Sequence, residues 1–170
     1  MEIKKILMFF LALILLFASL PSCAEREPVT CRKVLNSMIS SEIGIPAGMI
    51  YDLSAAEGDD AYLEERVINS LFGDGATPPM RNDWLDLALF LPTSSHPCEF
   101  AVFLCNSPDT ATDTARMLCR RLDIVKSAKN KNEYSEMLES ASVTIMGNYV
   151  LLIISSDSAL SLRAAREIIK

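Results

Sequence analysis

The chain has 170 residues, of which 50% are hydrophobic and 22% are charged, and its formal net charge at pH 7 is −6. This length and composition predict one folded domain with a substantial core and exclude a largely disordered chain. The net negative charge and the lack of a Lys/Arg-rich run disfavour nucleic acid as a partner.

The first 22 residues have the pattern of an export signal. Lys4 and Lys5 form a short basic segment, and residues 6–20 form an apolar run. A helix of that length spans about 22 Å, which is short of the roughly 30 Å hydrocarbon core of a bilayer. The pattern therefore favours a signal peptide over a permanent membrane-spanning helix, with an uncleaved anchor as the alternative.

Cys23 is the predicted site of lipid attachment. The sequence LPSC at residues 20–23 resembles a bacterial lipobox, which implies that Cys23 becomes the diacylglycerol-modified first residue of the mature protein. The alternative is ordinary secretion, with cleavage at the small residues around Cys23. Residues 23–29 are predicted to be a polar tether and residues 30–170 a single domain. The lipid would hold this domain at the outer face of the cytoplasmic membrane.

Two helices are predicted in the N-terminal part of the domain. Thr30 can cap the first helix, whose apolar residues recur at helical spacing before Gly44 ends it. Residues 45–54 are predicted to be a loop or a short extended piece, and the second helix covers about residues 60–72. Residues 73–83 contain Gly and a Pro-Pro pair and form the longest predicted loop.

The rest of the chain reads as strand, strand, helix, strand, strand and helix. The long helix begins after Ser107, which can cap it ahead of a proline at the first helical position, and a short second helix follows it at about residues 133–141. Asp157 can cap the last helix. The predicted strands are residues 84–91, 98–105, 142–146 and 149–154.

The most informative pattern is the predicted hairpin at residues 142–155. Two apolar runs flank Gly147-Asn148, which favours a two-residue turn. Residues 149–154 have no polar residue at alternate positions, and such a strand lies inside a sheet that is covered on both faces. The predicted class is α+β: a four-stranded antiparallel sheet from two ββα units, with their helices on one face and the two N-terminal helices covering the other.

The four cysteines after Cys23 are Cys31, Cys98, Cys105 and Cys119. An even number in an exported protein permits disulfides, and buried free thiols are the favoured alternative. A bridge between Cys98 and Cys105 is excluded in a straight strand, because seven residues separate them by about 23 Å.

Few residues indicate chemistry. His96 is the only histidine, and the chain has neither a Gly-x-Ser-x-Gly motif for a catalytic triad nor a C-x-x-C pair for zinc. No glycine-rich phosphate loop is present, so no metal or cofactor is predicted. Glu99, Arg121 and Tyr134 are predicted to converge as a polar cluster. A structural role for this cluster, such as a buried ion pair that fixes the helix, is favoured, with a ligand site as the alternative. A binding site is expected at the loops 73–83 or 92–97.

Several short motifs follow one another in an order that is similar to a known family. They are Leu71-Phe72-Gly73, Glu99 at the start of an apolar strand, Arg120 or Arg121 late in the next helix, Tyr134, and Gly147-Asn148-Tyr149-Val150. In these motifs the chain resembles the DUF4358 family of small lipoproteins from Clostridia-type Firmicutes, over roughly residues 30–169. The resemblance implies a cell-envelope location and a shared fold, and it implies no activity.

The expected function is that of a lipid-anchored accessory protein, without enzymatic activity, that binds an unknown envelope protein or ligand. An exported hydrolase and a freely secreted domain are the alternatives. No oligomeric state is indicated by the sequence.

Overall fold

The computed structural model describes residues 27–76, 78–128 and 131–170. The predicted signal peptide and Cys23 lie outside these residues. The described helices are α1 (Cys31–Ser41), α2 (Glu65–Phe72), α3 (Pro108–Ala128), α4 (Lys131–Ser140) and α5 (Ser158–Ile169), with a 3-10 turn at Arg81–Asp83. The described strands are β1 (Gly48–Asp52), β2 (Asp86–Pro92), β3 (Glu99–Leu104), β4 (Ser142–Met146) and β5 (Tyr149–Ile154).

The predicted helix caps are confirmed at three helices. The Thr30 hydroxyl accepts a backbone N–H of the first turn of α1, the Ser107 hydroxyl does the same for α3, and the Asp157 carboxylate does so for α5. The second predicted helix begins at Glu65 rather than near residue 60. The residues before Glu65 contact the edge of the sheet instead of forming a helix. The Asp52 N–H on β1 donates to the Ala61 carbonyl at 2.9 Å.

The α+β class and the antiparallel sheet are confirmed. The sheet order is β1-β2-β3-β5-β4, and every neighbouring pair is antiparallel. The sheet has five strands rather than the four expected, because residues 48–52 pair with β2. Gly48 permits this pairing, since a Cβ at this position would lie 2.4 Å from the Phe90 ring.

Both faces of the sheet are covered by helices, as expected, but the helices are distributed differently. The core on one face is formed with α2 and α3, together with Leu138 of α4, and is called here the α2–α3 core. The core on the other face is formed with α1 and α5. The prediction that the two N-terminal helices share a face was therefore wrong. The outer strands of a five-stranded sheet lie about 19 Å apart and a helix is about 10 Å across, so each face needs two helices side by side. The short helix α1 lies over β2 and β3, and α5 covers β5 beside it.

The hairpin prediction is confirmed. Strands β4 and β5 flank a turn in which Gly147 has a φ of +60°, a conformation that glycine adopts without strain. All six residues of β5 are buried, alternately in the two cores. The ring of Phe103 on β3 packs edge-on against Phe72 and Trp84 in the α2–α3 core.

The two ends of the sheet are chemically different. At one end, called here the tether end, the Tyr149 hydroxyl donates to the Val29 carbonyl at 2.6 Å, beside the point where the chain enters the domain. At the other end, called the distal end, Glu99 begins β3 opposite Ile154. Five residue steps of about 3.3 Å separate the two ends, or about 17 Å. None of the helices in the described ranges has the length and apolar character needed to cross a bilayer.

Candidate functional site

The strongest polar feature of the distal end is an ion pair between Glu99 on β3 and Arg121 on α3. Arg121 Nη2 lies 2.8 Å from Glu99 Oε2, and its Nε lies 3.1 Å and 3.2 Å from the two carboxylate oxygens. The side chains are 3% and 18% exposed. Two N–H groups aimed at one carboxylate make this a forked, charge-assisted pair, which offsets the cost of burying Glu99.

The fold explains why these two residues meet. Glu99 lies on the sheet face that α3 covers, because its partner Ile154 belongs to the α2–α3 core. Arg121 lies next to the buried stripe of α3, beside Leu118 and Leu122. The pair therefore joins the start of β3 to the C-terminal half of α3.

His96 adds a second polar group at the same end. Its Nδ1 accepts the backbone N–H of Cys98 at 3.0 Å, which fixes the imidazole at the end of the turn before β3. The His96 ring packs edge-on against the Tyr134 ring of α4, with 4.9 Å between the ring centroids. Tyr134 thus contacts His96 rather than Glu99 or Arg121.

Tyr134 lies where the helix geometry is broken, with φ −122° and ψ 23°. A hydrogen bond and the charge of Glu133, together with partial burial, raise the pKa of the Tyr134 phenol. The phenol is therefore neutral at physiological pH and is suited to hydrogen bonding.

These groups border a small cleft at the distal end. Its volume is about 220 Å³, and it is lined by Ser94, His96, Glu99 and Arg121 together with apolar side chains, among them Leu71 and Val125. The structure therefore brings Glu99 and Arg121 together in the cleft. The third predicted residue, Tyr134, packs against the His96 ring and does not line the cleft. His96 is the residue that sequence reasoning undervalued, because it was considered only for a triad or a zinc site.

The predicted loop 73–83 borders a different and larger groove, of about 660 Å³, against α3. Its described residues also have a structural role. The Arg81 guanidinium donates to the carbonyls of Leu53 and Leu63 and lies 4.4 Å from the centre of the Tyr62 ring. Thr77 of this loop lies outside the described residues. The distal cleft is the candidate site, because it combines the Glu99–Arg121 pair with His96.

The four described cysteines are free, and Cys31, Cys98 and Cys105 are buried while Cys119 is exposed. Burial, reinforced by the charges of Glu42 and Glu99, raises the pKa of the Cys98 thiol to about 12. Burial also raises the pKa of Cys31 and of Cys105. These thiols stay protonated at neutral pH, so they are poor nucleophiles and poor metal ligands. Within the described ranges, no three His, Cys, Asp or Glu side chains are grouped to hold a metal ion.

Comparison of the chain with models of known protein families found no match. The comparisons with curated proteins and with solved structures likewise found none. The resemblance to the DUF4358 family stays a prediction from the sequence motifs.

Proposed function

We propose that the protein is exported, is anchored to the outer face of the cytoplasmic membrane through a lipid on Cys23, and binds an envelope protein or ligand at its distal end. The basic and apolar pattern of residues 1–22 and the LPSC sequence at residues 20–23 support the anchor. The motifs shared with the DUF4358 family support the cell-envelope location.

The observation that carries the binding role is the position of the cleft relative to the tether. The chain enters the domain at Val29, beside Tyr149, and the cleft lies at the opposite end of β3 and β5. A short tether at residues 23–29 keeps the tether end next to the membrane. The cleft with His96 and Arg121 is then the part of the domain that faces incoming partners.

The chemistry of the cleft favours recognition over acid–base catalysis. Both Glu99 carboxylate oxygens accept from Arg121, and Nδ1 of His96 accepts from the backbone of Cys98. A carboxylate and an imidazole that are held in this way are preorganised polar groups in a mostly apolar cleft, as in many binding sites.

Metabolic labelling with a fatty acid tests the anchor. We expect the wild-type chain to incorporate the label and the Cys23→Ala variant to incorporate none. A wild-type chain without label, found in the medium rather than on membranes, would show that the domain is freely secreted.

Site-specific photo-crosslinking in cells tests the binding end. Ser94 is exposed at the rim of the cleft, and Ser54 is exposed at the tether end. A photoreactive residue at position 94 should give a discrete adduct by mass spectrometry, and the same residue at position 54 should not. An adduct at position 54 alone, or at neither position, would contradict the proposed binding end.

A further inference from the structure

Strand β4 is an open edge of the sheet. Ser142–Met146 pair with β5 on one side, and among the described residues no backbone group bonds to them on the other side. The segment SVTIM carries no charge and no proline, and Ile145 is 47% exposed. Such edges are templates for another strand, and native proteins usually block them with charges, prolines or bulges.

The hydrogen-bond pattern identifies which groups are free. The Asn148 carbonyl accepts from Cys105 on the β3 side, so Tyr149, the next residue, directs its backbone groups to β4. Hydrogen-bonded pairs alternate along an antiparallel ladder, which makes Met146, Thr144 and Ser142 the residues bonded to β5. The N–H and C=O groups of Val143 and Ile145 therefore point away from the sheet.

The opposite edge of the sheet is blocked at its Asp52 end. On β1 the N–H of Asp52 is used by the Ala61 carbonyl, and the Asp52 carboxylate lies 3.9 Å from the Arg32 guanidinium. A charge and a crossing loop are two of the devices that stop strand addition. Among the described strands, β4 is the edge strand that has no charged residue and no crossing segment along its length.

We propose that β4 pairs with β4 of a second copy of this chain, antiparallel and centred on Thr144, to form a ten-stranded sheet. The pairing is isologous, so Val143 of each copy lies opposite Ile145 of the other, and the two residues form a hydrogen-bonded backbone pair. At the centre, Thr144 lies opposite Thr144 of the second copy in a pair without backbone hydrogen bonds.

The segment is self-complementary in this register. Val143 and Ile145 both lie on the α3 side of the sheet, opposite Leu152 and Val150, so apolar side chains oppose each other twice. Opposed threonines are a favourable pair, and no like charges meet across the interface. This chemical match selects a second copy as the partner.

The symmetry also determines how the dimer meets a shared membrane, a step that alone depends on the proposed lipid anchor. The two-fold axis is perpendicular to the sheet, so the α1–α5 layers of both copies, with Val29 packed against each, lie on the same side. The two tether ends point in opposite directions along the strands. The α1–α5 side of the dimer therefore faces the membrane, and the two distal clefts open at opposite edges of the dimer.

Disulfide cross-linking of the full chain in membranes tests the register. Thr144→Cys, in a Cys119→Ser background, places two thiols at a non-bonded pair whose Cα atoms are about 4.5 Å apart, within the range of a disulfide. In the same background, Val143→Cys places two cysteines whose Cα atoms are about 9 Å apart, which exceeds that range. On oxidation we expect a linked dimer for Thr144→Cys and only background linkage for Val143→Cys.

Equal linkage at both positions, no dimer at either, or linkage of Thr144→Cys to a different protein would overturn the proposal. Adding Ile145→Lys should abolish the Thr144→Cys dimer. Adding Met49→Lys should leave it unchanged, because Met49 is 37% exposed on β1, at the opposite edge of the sheet. If Ile145→Lys and Met49→Lys each abolished the dimer, the result would count against a specific β4 interface.

Discussion

At the scale of single residues, the Glu99–Arg121 pair explains how a carboxylate is held at the start of a fully buried strand. Arg121 is the only cation within bonding distance of Glu99 among the described residues, so removing it leaves a buried charge without a partner. We expect Arg121→Met to lower the free energy of unfolding by about 3 kcal/mol, measured by urea denaturation.

The double variant Glu99→Leu/Arg121→Met is the control for this prediction. It removes the carboxylate as well as the guanidinium, so most of the lost stability should return. If the double variant were as unstable as the single one, the loss would come from the packing of Arg121 rather than from the unpaired charge.

The buried thiol of Cys98 predicts a loss of stability at alkaline pH. The pKa of Cys98 is raised to about 12 by burial, whereas an unfolded cysteine has a pKa of about 8.5. The contribution is fully present below pH 8.5 and is lost as the pH rises toward 12, because only the unfolded chain releases the proton. The midpoint temperature of thermal unfolding should therefore decrease as the pH rises above about 8.5. In Cys98→Ala this decrease should be smaller. Identical pH profiles for the two chains would contradict this assignment.

At the scale of elements, the turn between β4 and β5 depends on one backbone conformation. Gly147 has a φ of +60°, and no residue other than glycine has a positive φ among the described residues. Gly147→Ala should lower the free energy of unfolding by about 1 kcal/mol, because a Cβ disfavours this region. Asn148→Ala, at the next position, should change it little. Equal effects of the two variants would mean that the side chains, and not φ, determine the turn.

Local patterns explain which elements could be predicted from the sequence. The hairpin at Gly147 and the helix starts at Thr30 and Ser107 depend on neighbouring residues, and they are found where they were predicted. Strand β1 could not be recognised, because its five residues are defined by pairing with β2 and by the fit of Gly48 over Phe90.

The candidate site also has one part that could be predicted from the sequence and one part that could not. The proximity of Glu99 to Arg121 follows from a strand start and a helix stripe on the same face, and it could be predicted. The contact of Tyr134 with His96 could not, because it depends on a non-helical residue inside α4 and on the path of the turn 92–97. The distribution of helices over the faces depends on the width of the sheet, which the sequence reveals only when every strand is known.

At the scale of the whole molecule, one sheet separates two hydrophobic cores, and the question is whether they unfold together. Leu35 of α1 is fully buried in the α1–α5 core, whereas Trp84, the only tryptophan, lies in the α2–α3 core. Leu35→Ala should lower the free energy of unfolding by about 3 kcal/mol through the lost contacts and the cavity left behind.

Strand β3 contributes alternate residues to both cores, and its Phe103 packs against Trp84. Because α1 lies over β2 and β3, it cannot leave without weakening the strand that supports Trp84. The fluorescence of Trp84 should therefore report the same lowered urea midpoint as circular dichroism in Leu35→Ala. Ile43→Ala is the matched control, since Ile43 is 96% exposed and its loss should move neither midpoint. If the circular dichroism midpoint fell while the Trp84 midpoint did not, the α1–α5 layer would be an independent unit. The sheet would then stay folded on the α2–α3 core alone.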